Sequence, residues 1–282
     1  SRWCELGARF ICFGDFQGQF EPFADRWRLS PSLHEFSHLM HQLCHGFHIT
    51  ITQYRRGADQ ALFGWYHGLY DAQQDVRRLV EESRRRYPAG GVDRDPLVLT
   101  VSHAKRMRVN EIQNRRLAPP TAILLKWEGE DLVGTTMQPQ SMRIWSGMTL
   151  IGCPRGSGQK KLVVQGVLYT VESISEADVT LQMQEDYRHG ARDETVVVPL
   201  EGVCTQLRLC HAMCYYTCQG RTVRDRHIVL LDTDHPHFST RALIVGLSRA
   251  THGRFVHIGD EDSDATFAFD GTLPRAKRRR IA

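Results

Sequence analysis

The sequence predicts an α/β fold, with helices between the covered strands of a parallel sheet and an all-β insertion interrupting them. Three observations carry this. Ile228, Val229, Leu230 and Leu231 form an apolar run closed by Asp232, the pattern of a strand buried on both faces. Leu97 to Ser102 (LVLTVS) is a second such strand, leading into a helix from Ala104 to Leu117. Between them, Ile123 to Leu200 changes texture to short strands separated by turns: ILLKW, MTLIG, VLYTVESI, VTLQMQ and TVVVPL. Such a run reads as a small β-barrel or sheet insertion.

The totals bound the rest. A chain of 282 residues builds one large domain or two smaller ones. With 41% hydrophobic and 24% charged residues it has an ordinary globular composition. No apolar stretch reaches membrane-spanning length and no signal peptide opens the chain, so a membrane is not among the expected partners. A net charge of +4 permits nucleic acid without requiring it. Eight cysteines without a secretory signal read as reduced intracellular thiols. The chain starts at Ser1 and enters almost at once on a buried-looking strand, which leads us to expect a fragment or partial gene product.

In chain order, Arg9 to Asp15 (RFICFGD) is an apolar strand ending in Gly-Asp, followed by Gln17 and Gln19. Asp15 stands at a strand's carboxyl end, where open α/β sheets bind ligands. The helix from Pro31 to Phe47 has Ser30 as N-cap and a core stripe of Leu33, Phe36, Met40, Leu43 and Phe47. His34, His38, His41, His45 and His48 make a neighbouring stripe, in which His34-Glu35-Phe36-Ser37-His38 formally matches H-E-x-x-H. A wet, titratable face fits this histidine-rich setting better than a zinc site, so no metal site is assigned. Ile49 to Thr52 alternates like a short strand and runs into Arg55 and Arg56. Helices follow over Ala58 to Tyr70 and Ala72 to Tyr87, ended by Pro88-Ala89-Gly90-Gly91. Lys105, Arg106 and Arg108, in the helix after the LVLTVS strand, form a basic turn suited to backbone phosphates.

The stretch from Leu207 to Arg249 organises the chain. It reads as a helix, a tight Gln219-Gly220 turn, the Ile228 strand, and a second helix with Leu243, Ile244 and Leu247 on one face and Arg249 near its end. Gly220, just before Thr222, lets backbone N–H groups approach an anion, and an arginine forks onto phosphate oxygens. Cys210, Cys214 and Cys218 recur every four residues and read as small buried thiols. Phe255 to Ile258 is a final strand and Asp260 to Asp264 an acidic surface turn. The tail from Pro274 to Arg280 is a basic run suited to nuclear import or nucleic acid.

The run from Cys210 to Thr222 resembles motif V of superfamily 1 helicases of the RecD and Pif-like kind, "A-[apolar]-T-x-H-K-S-Q-G-x-T". Val245-Gly246-Leu247-Ser248-Arg249 is similar to their motif VI, "V-A-L-S-R". Tyr216, Thr217 and Cys218 stand where His, Lys and Ser are usual, which removes a lysine from the set. The stretch from Gly14-Asp15 to Pro22 resembles motif III, whose glutamine falls on Gln19 or Gln17. Gln53 to Arg56 resembles motif IV, whose arginine falls on Arg55 or Arg56. At the LVLTVS strand's end, Ser102, His103 and Asn110 take places that in the family lie at the nucleic-acid strand. The resemblance spans Phe10 to Ile258.

It implies a RecA-like motor fold with a parallel sheet and an inserted small β-barrel. Residues 1–48 would end the first motor domain, 49–122 and 201–282 form the second, and 123–200 the insertion. The carboxy-terminal portion of an ATP-dependent DNA helicase is implied, with ATP and Mg²⁺ held mainly by the missing amino-terminal motor domain. The resemblance gives catalytic roles to Arg249, Arg55 and Gln19, and nucleotide contacts to Asp15, Gly220 and Arg56. Contacts to single-stranded DNA, with RNA left open, fall to Thr222, Gln219, Thr217, Tyr216, His103 and Ser102. No G-x-x-x-x-G-K-[ST] loop occurs in the sequence. This chain alone is therefore expected to be catalytically inactive. The competing expectation is a helicase-derived module that binds single strands or a protein partner without turnover.

Overall fold

The computed structural model describes residues 7, 10–12, 20, 37–50, 57–88, 91–129, 138–154, 161–184 and 195–259. Asp15, Gln17, Gln19, His34, Glu35, Arg55, Arg56, the acidic turn and the basic tail lie outside them, as does most of the RFICFGD strand.

The first helices are α1 (His38–Leu43), α2 (Gln60–Gly68) and α3 (Val76–Arg86). Strand β1 (Leu97–Thr100) and helix α4 (His103–Leu117) follow. The insertion contributes β2 (Ile123–Leu125), β3 (Met142–Ile144), β4 (Thr149–Gly152), β5 (Leu168–Ile174), β6 (Asp178–Met183) and β7 (Thr195–Pro199). Helix α5 (Leu200–Gln206) leads to β8 (Leu207–Leu209), β9 (Ala212–Cys214) and the single turn α6 (Tyr215–Cys218). The chain continues through β10 (Ile228–Leu230), α7 (Thr240–Leu247) and β11 (Val256–Ile258).

A parallel sheet in the order β11-β10-β1-β9 forms the centre. Its strands are apolar nearly throughout because both faces are covered. Leu97, Leu99, Ile228, Leu230, Val256 and Ile258 point to one side, packing with Leu62, Leu79 and Leu243 of α2, α3 and α7. Val98, Val229 and Ala212 point to the other, against Val109 of α4. Capping fixes the helix starts: Asp59 accepts from Leu62 N at 2.9 Å, Ser102 from Lys105 N at 3.0 Å and Ser239 from Ala242 N at 3.3 Å.

The insertion pairs as an open antiparallel row, β7-β6-β5-β4-β8, with β2 and β3 forming a separate two-stranded ribbon. Along β6, Val179, Leu181 and Met183 are buried while Thr180 and Gln182 are half-buried, the alternation of a sheet with one packed face. The row runs past Leu200, since β8 pairs with β4. Two asparagines one turn apart on α4 tie the sheets together. Asn110 Nδ2 donates to the Ala212 carbonyl at 3.0 Å and its Oδ1 accepts from Ala212 N at 2.7 Å. Asn114 does the same for Arg143 of β3, at 2.7 and 2.8 Å. Each amide thus supplies the hydrogen bonds that a further strand would make to an edge.

Two expectations are corrected. The helix expected from Leu207 is instead two short strands in different sheets, joined by Cys210-His211 and followed by one helical turn. In the helix read over Pro31 to Phe47, the described part has no buried residue: Met40 and Leu43 are half-buried and Phe47 is exposed.

Candidate strand and phosphate interface

The carboxyl ends of β9, β1 and β10 lie side by side, and most of the described candidate residues follow directly from them. From β9 the chain continues into Tyr216, Thr217, Gln219 and Gly220, and from β1 into Ser102 and His103. The two stretches touch where Cys214 Sγ lies 3.4 Å from His103 Nδ1. From β10 it continues into Asp232, a residue the sequence marks only as a strand terminus. Its backbone is left-handed at φ +60°, and its Oδ2 accepts from Val101 N at 2.9 Å and Ser102 N at 3.0 Å. Its Oδ1 lies 2.9 Å from the Lys105 ammonium. Asp232 therefore fixes the loop that carries Ser102 and His103.

Ser102 acts as the N-cap of α4. Burial, with the Arg106 charge beside it, lowers the pKa of His103 and favours the neutral ring. Of the expected basic turn, Lys105 is paired with Asp232 and Arg106 is buried, while Arg108 is exposed. Asn110, which the resemblance also sets near the strand, is spent on Ala212.

The motif V and motif VI stretches meet directly. Gly220 takes φ +81°, the left-handed turn that glycine allows. Arg249 is 5% exposed. Its Nε donates to the Val245 carbonyl at 3.1 Å, its Nη2 to Ser248 Oγ at 2.9 Å and its Nη1 to the Arg221 carbonyl at 3.0 Å. Val223 N donates back to the Arg249 carbonyl at 2.9 Å, and Val223 bridges Ala250 in parallel. Thr222 lies inside this clamp. Arg249 is thus placed beside Gly220 and Thr222, with its guanidinium turned to two backbone carbonyls and the Ser248 hydroxyl.

Phe20, immediately after Gln19, reaches the same surface. Its ring stacks on the exposed ring of Tyr216, and its amide donates to Gln219 Oε1 at 3.3 Å. The structure therefore brings together Tyr216, Thr217, Gln219, Gly220, Thr222 and Arg249 with Ser102 and His103 nearby; Gln19, Asp15, Arg55 and Arg56 lie outside the described residues. Sequence reasoning misses Phe20 and Asp232, although an acid at a strand's carboxyl end is the same signal that singles out Asp15.

The thiols behave as small hydrophobes. Cys210, Cys214 and Cys218 are all buried, and burial pushes the Cys210 thiol up to about 11. A cavity of about 210 Å³, walled by Asp95, Trp145, His211 and Arg226, opens at the opposite, amino-terminal edge of the parallel sheet.

No family model and no curated protein matches the sequence. Solved structures do. The Pif1 helicase of Candida albicans superposes with a TM-score of 0.53 at 16% identity, covering 74% of this chain and 55% of that one. A Bacteroides Pif1 bound to ssDNA gives 0.50 at 14%, covering 75% and 52%. Pif1 in a study of DNA unwinding at forked dsDNA gives 0.50 at 15%, covering 75% and 50%. This chain spans about half the length of these helicases, and over three quarters of its own length it has their α/β fold, as the resemblance of its motifs implied.

Proposed function

We propose that the chain is the carboxy-terminal portion of an ATP-dependent helicase that moves along single-stranded DNA. The observation that carries this is the meeting of the motif V turn with the motif VI helix end, through Arg249 and the Arg221 carbonyl, at the carboxyl edge of a parallel sheet. The fold shared with a Pif1 helicase whose structure includes bound ssDNA supports the reading. On this reading the exposed Tyr216, with Thr217, Gln219 and Thr222, faces the strand. Arg249 and Arg55 bring positive charge to the phosphates. ATP supplies the driving free energy; its phosphate cradle and Mg²⁺ belong to the amino-terminal motor domain, which carries the P-loop. The antiparallel row β7-β6-β5-β4-β8, together with the β2–β3 ribbon, is read as the small inserted barrel. The basic tail suits a nuclear protein.

Two observations favour a second reading. Arg249 is buried and bonded to backbone oxygens, and the usual motif V lysine is replaced by Thr217, which suits a strand-binding module without turnover.

Two measurements test both. Binding of a fluorescein-labelled oligothymidine should weaken log-linearly with salt; salt-independent or absent binding sinks both strand-binding readings. The chain alone should release no phosphate from ATP. Joined to a P-loop motor domain it should hydrolyse ATP, and Arg249→Ala should lower turnover by orders of magnitude, roughly 10²-fold or more, with strand binding nearly unchanged. Full turnover in that variant removes Arg249 from the mechanism, and none in the unaltered protein selects the second reading.

A further inference from the structure

We propose that Arg221 is a positioning residue that couples the inserted antiparallel sheet to the helix end carrying Arg249. It occupies the variable place between Gly220 and Thr222, where nothing in the resemblance gives it a role. Its two ends face two different parts of the molecule.

Its backbone belongs to the parallel sheet's carboxyl edge. The Arg221 carbonyl accepts from Arg249 Nη1 at 3.0 Å, and two residues on, Val223 N donates to the Arg249 carbonyl at 2.9 Å. Val245 and Ser248, which also hold the Arg249 guanidinium, belong to that residue's own helix and its cap, whereas Arg221 reaches it from 28 positions away in sequence. Among the described contacts, the Arg221 carbonyl joins the Arg249 guanidinium to the turn.

Its side chain belongs to the insertion. Nε donates to the Thr217 carbonyl at 2.9 Å, bracing the guanidinium against α6, and Nη2 donates to the Gly166 carbonyl. Gly166 sits at φ +80° in the turn between β4 and β5, and that turn is joined to the sheet. Gly166 N donates to the Gly152 carbonyl, and Gly152 N donates to the Val167 carbonyl, both at 2.8 Å. Gly152 approaches so closely that an added Cβ would lie 2.1 Å from the Val164 carbonyl oxygen. Gly152 also pairs with Leu207 of β8. Displacement of the β4–β5 turn therefore passes through one hydrogen bond to the Arg221 side chain, and through one more from its peptide to Arg249. The planar, two-edged guanidinium suits this, since one group binds two carbonyls at a fixed angle; lysine offers no equivalent.

The functional consequence rests on the reading of Arg249 as the phosphate-facing residue: on that reading, a single strand that shifts the insertion would move Arg249. The coupling itself does not need that reading, and the test separates the two. Gly166→Ala strains the turn at its positive φ, and hydrogen exchange of the full chain, followed by mass spectrometry, reports on Val223 and on residues 245–250. With Arg221 present, Gly166→Ala should speed exchange there about fivefold, the weight of one lost hydrogen bond. In an Arg221→Lys or Arg221→Ala background, the same change should leave those amides unaltered. An equal Gly166→Ala effect in all backgrounds, or none in any, overturns the proposal. Arg221→Lys, which keeps charge and bulk, guards against loss of folding in Arg221→Ala. A second arm adds oligothymidine: protection gained at residues 164–168 should reach 245–250 in the unaltered chain and stop short of them in Arg221→Lys. Oligothymidine without effect on the unaltered chain, alongside a coupled Gly166→Ala response, refutes the strand reading and leaves the coupling standing.

Discussion

The ring of Phe20 lies flat on that of Tyr216, with centroids 3.9 Å apart and planes 20° from parallel. The Phe20 amide bonds Gln219 Oε1 in the same contact. Phe20, the described residue of the stretch read as motif III, is thereby seated on the stretch read as motif V, and Tyr216 is 55% exposed.

Tyr216→Ala removes both the seat for Phe20 and a stacking platform. Base–aromatic stacking contributes roughly 1–3 kcal/mol, so oligothymidine binding should weaken about tenfold or more by anisotropy, while Tyr216→Phe should bind as the unaltered chain does. Undiminished binding by Tyr216→Ala places the strand elsewhere.

Two buried amides on α4 should respond in opposite directions. Asn110 is 1% exposed and satisfies both backbone groups of Ala212, so Asn110→Ala should cost about 2–3 kcal/mol in urea unfolding, mostly from groups left unpaired. Gln113 is fully buried, and neither Nε2 nor Oε1 has a partner among the described residues. Gln113→Met should therefore raise the midpoint, by about 1 kcal/mol. A lowered midpoint there would show that the amide is satisfied in solution.

Gly246 stands where the resembling motif has alanine. A Cβ there would meet Leu230 Cδ2 at 2.7 Å, Leu230 Cγ at 2.9 Å and Tyr215 Cε1 at 3.1 Å. Gly246→Ala should gain about 1 kcal/mol in helix propensity and lose about 1–3 kcal/mol to overpacking, a net loss read from the thermal midpoint. A more stable Gly246→Ala would show that Leu230 yields freely.

Asp59 governs part of the acid limb. Burial raises its pKa, but hydrogen bonds from the Leu62 and Gly253 amides and the nearby His252 outweigh that and hold it below the ordinary aspartate value of 3.8. A carboxylate depressed on folding contributes stability that is present above the unfolded value and lost as pH falls through the lower folded value. Stability should therefore drop as pH falls below about 4, and Asp59→Asn should flatten that drop while weakening the protein at neutral pH. An unchanged acid limb in the variant would remove Asp59 from it.

Much of the fold is legible in the sequence because its signals are local. β1 and β10 declare themselves by apolar runs, α7 by the Leu243, Ile244 and Leu247 face, and the insertion by its short strands with turns between them. The Gly220 turn carries its own glycine. The stretch from Leu207 to Cys218 misleads because it is buried nearly throughout, so no period distinguishes strand from helix, and because it changes sheets at Cys210-His211. β3 is invisible because three residues carry no pattern; its place depends on Asn114, 29 positions away. Asp232 looks like a mere ending in sequence, since its three partners come from the β1–α4 loop and the first turn of α4, about 130 residues upstream.

Four of the buried cysteines sample different layers. Cys204 sits in the antiparallel core, Cys210 where the chain passes between sheets, Cys214 at the end of a parallel strand, and Cys218 beneath the turn that precedes Gly220. Each becomes reactive only when its own layer opens. Timed alkylation, read peptide by peptide, would thus rank the order in which this architecture comes apart, using reporters already built into the native chain.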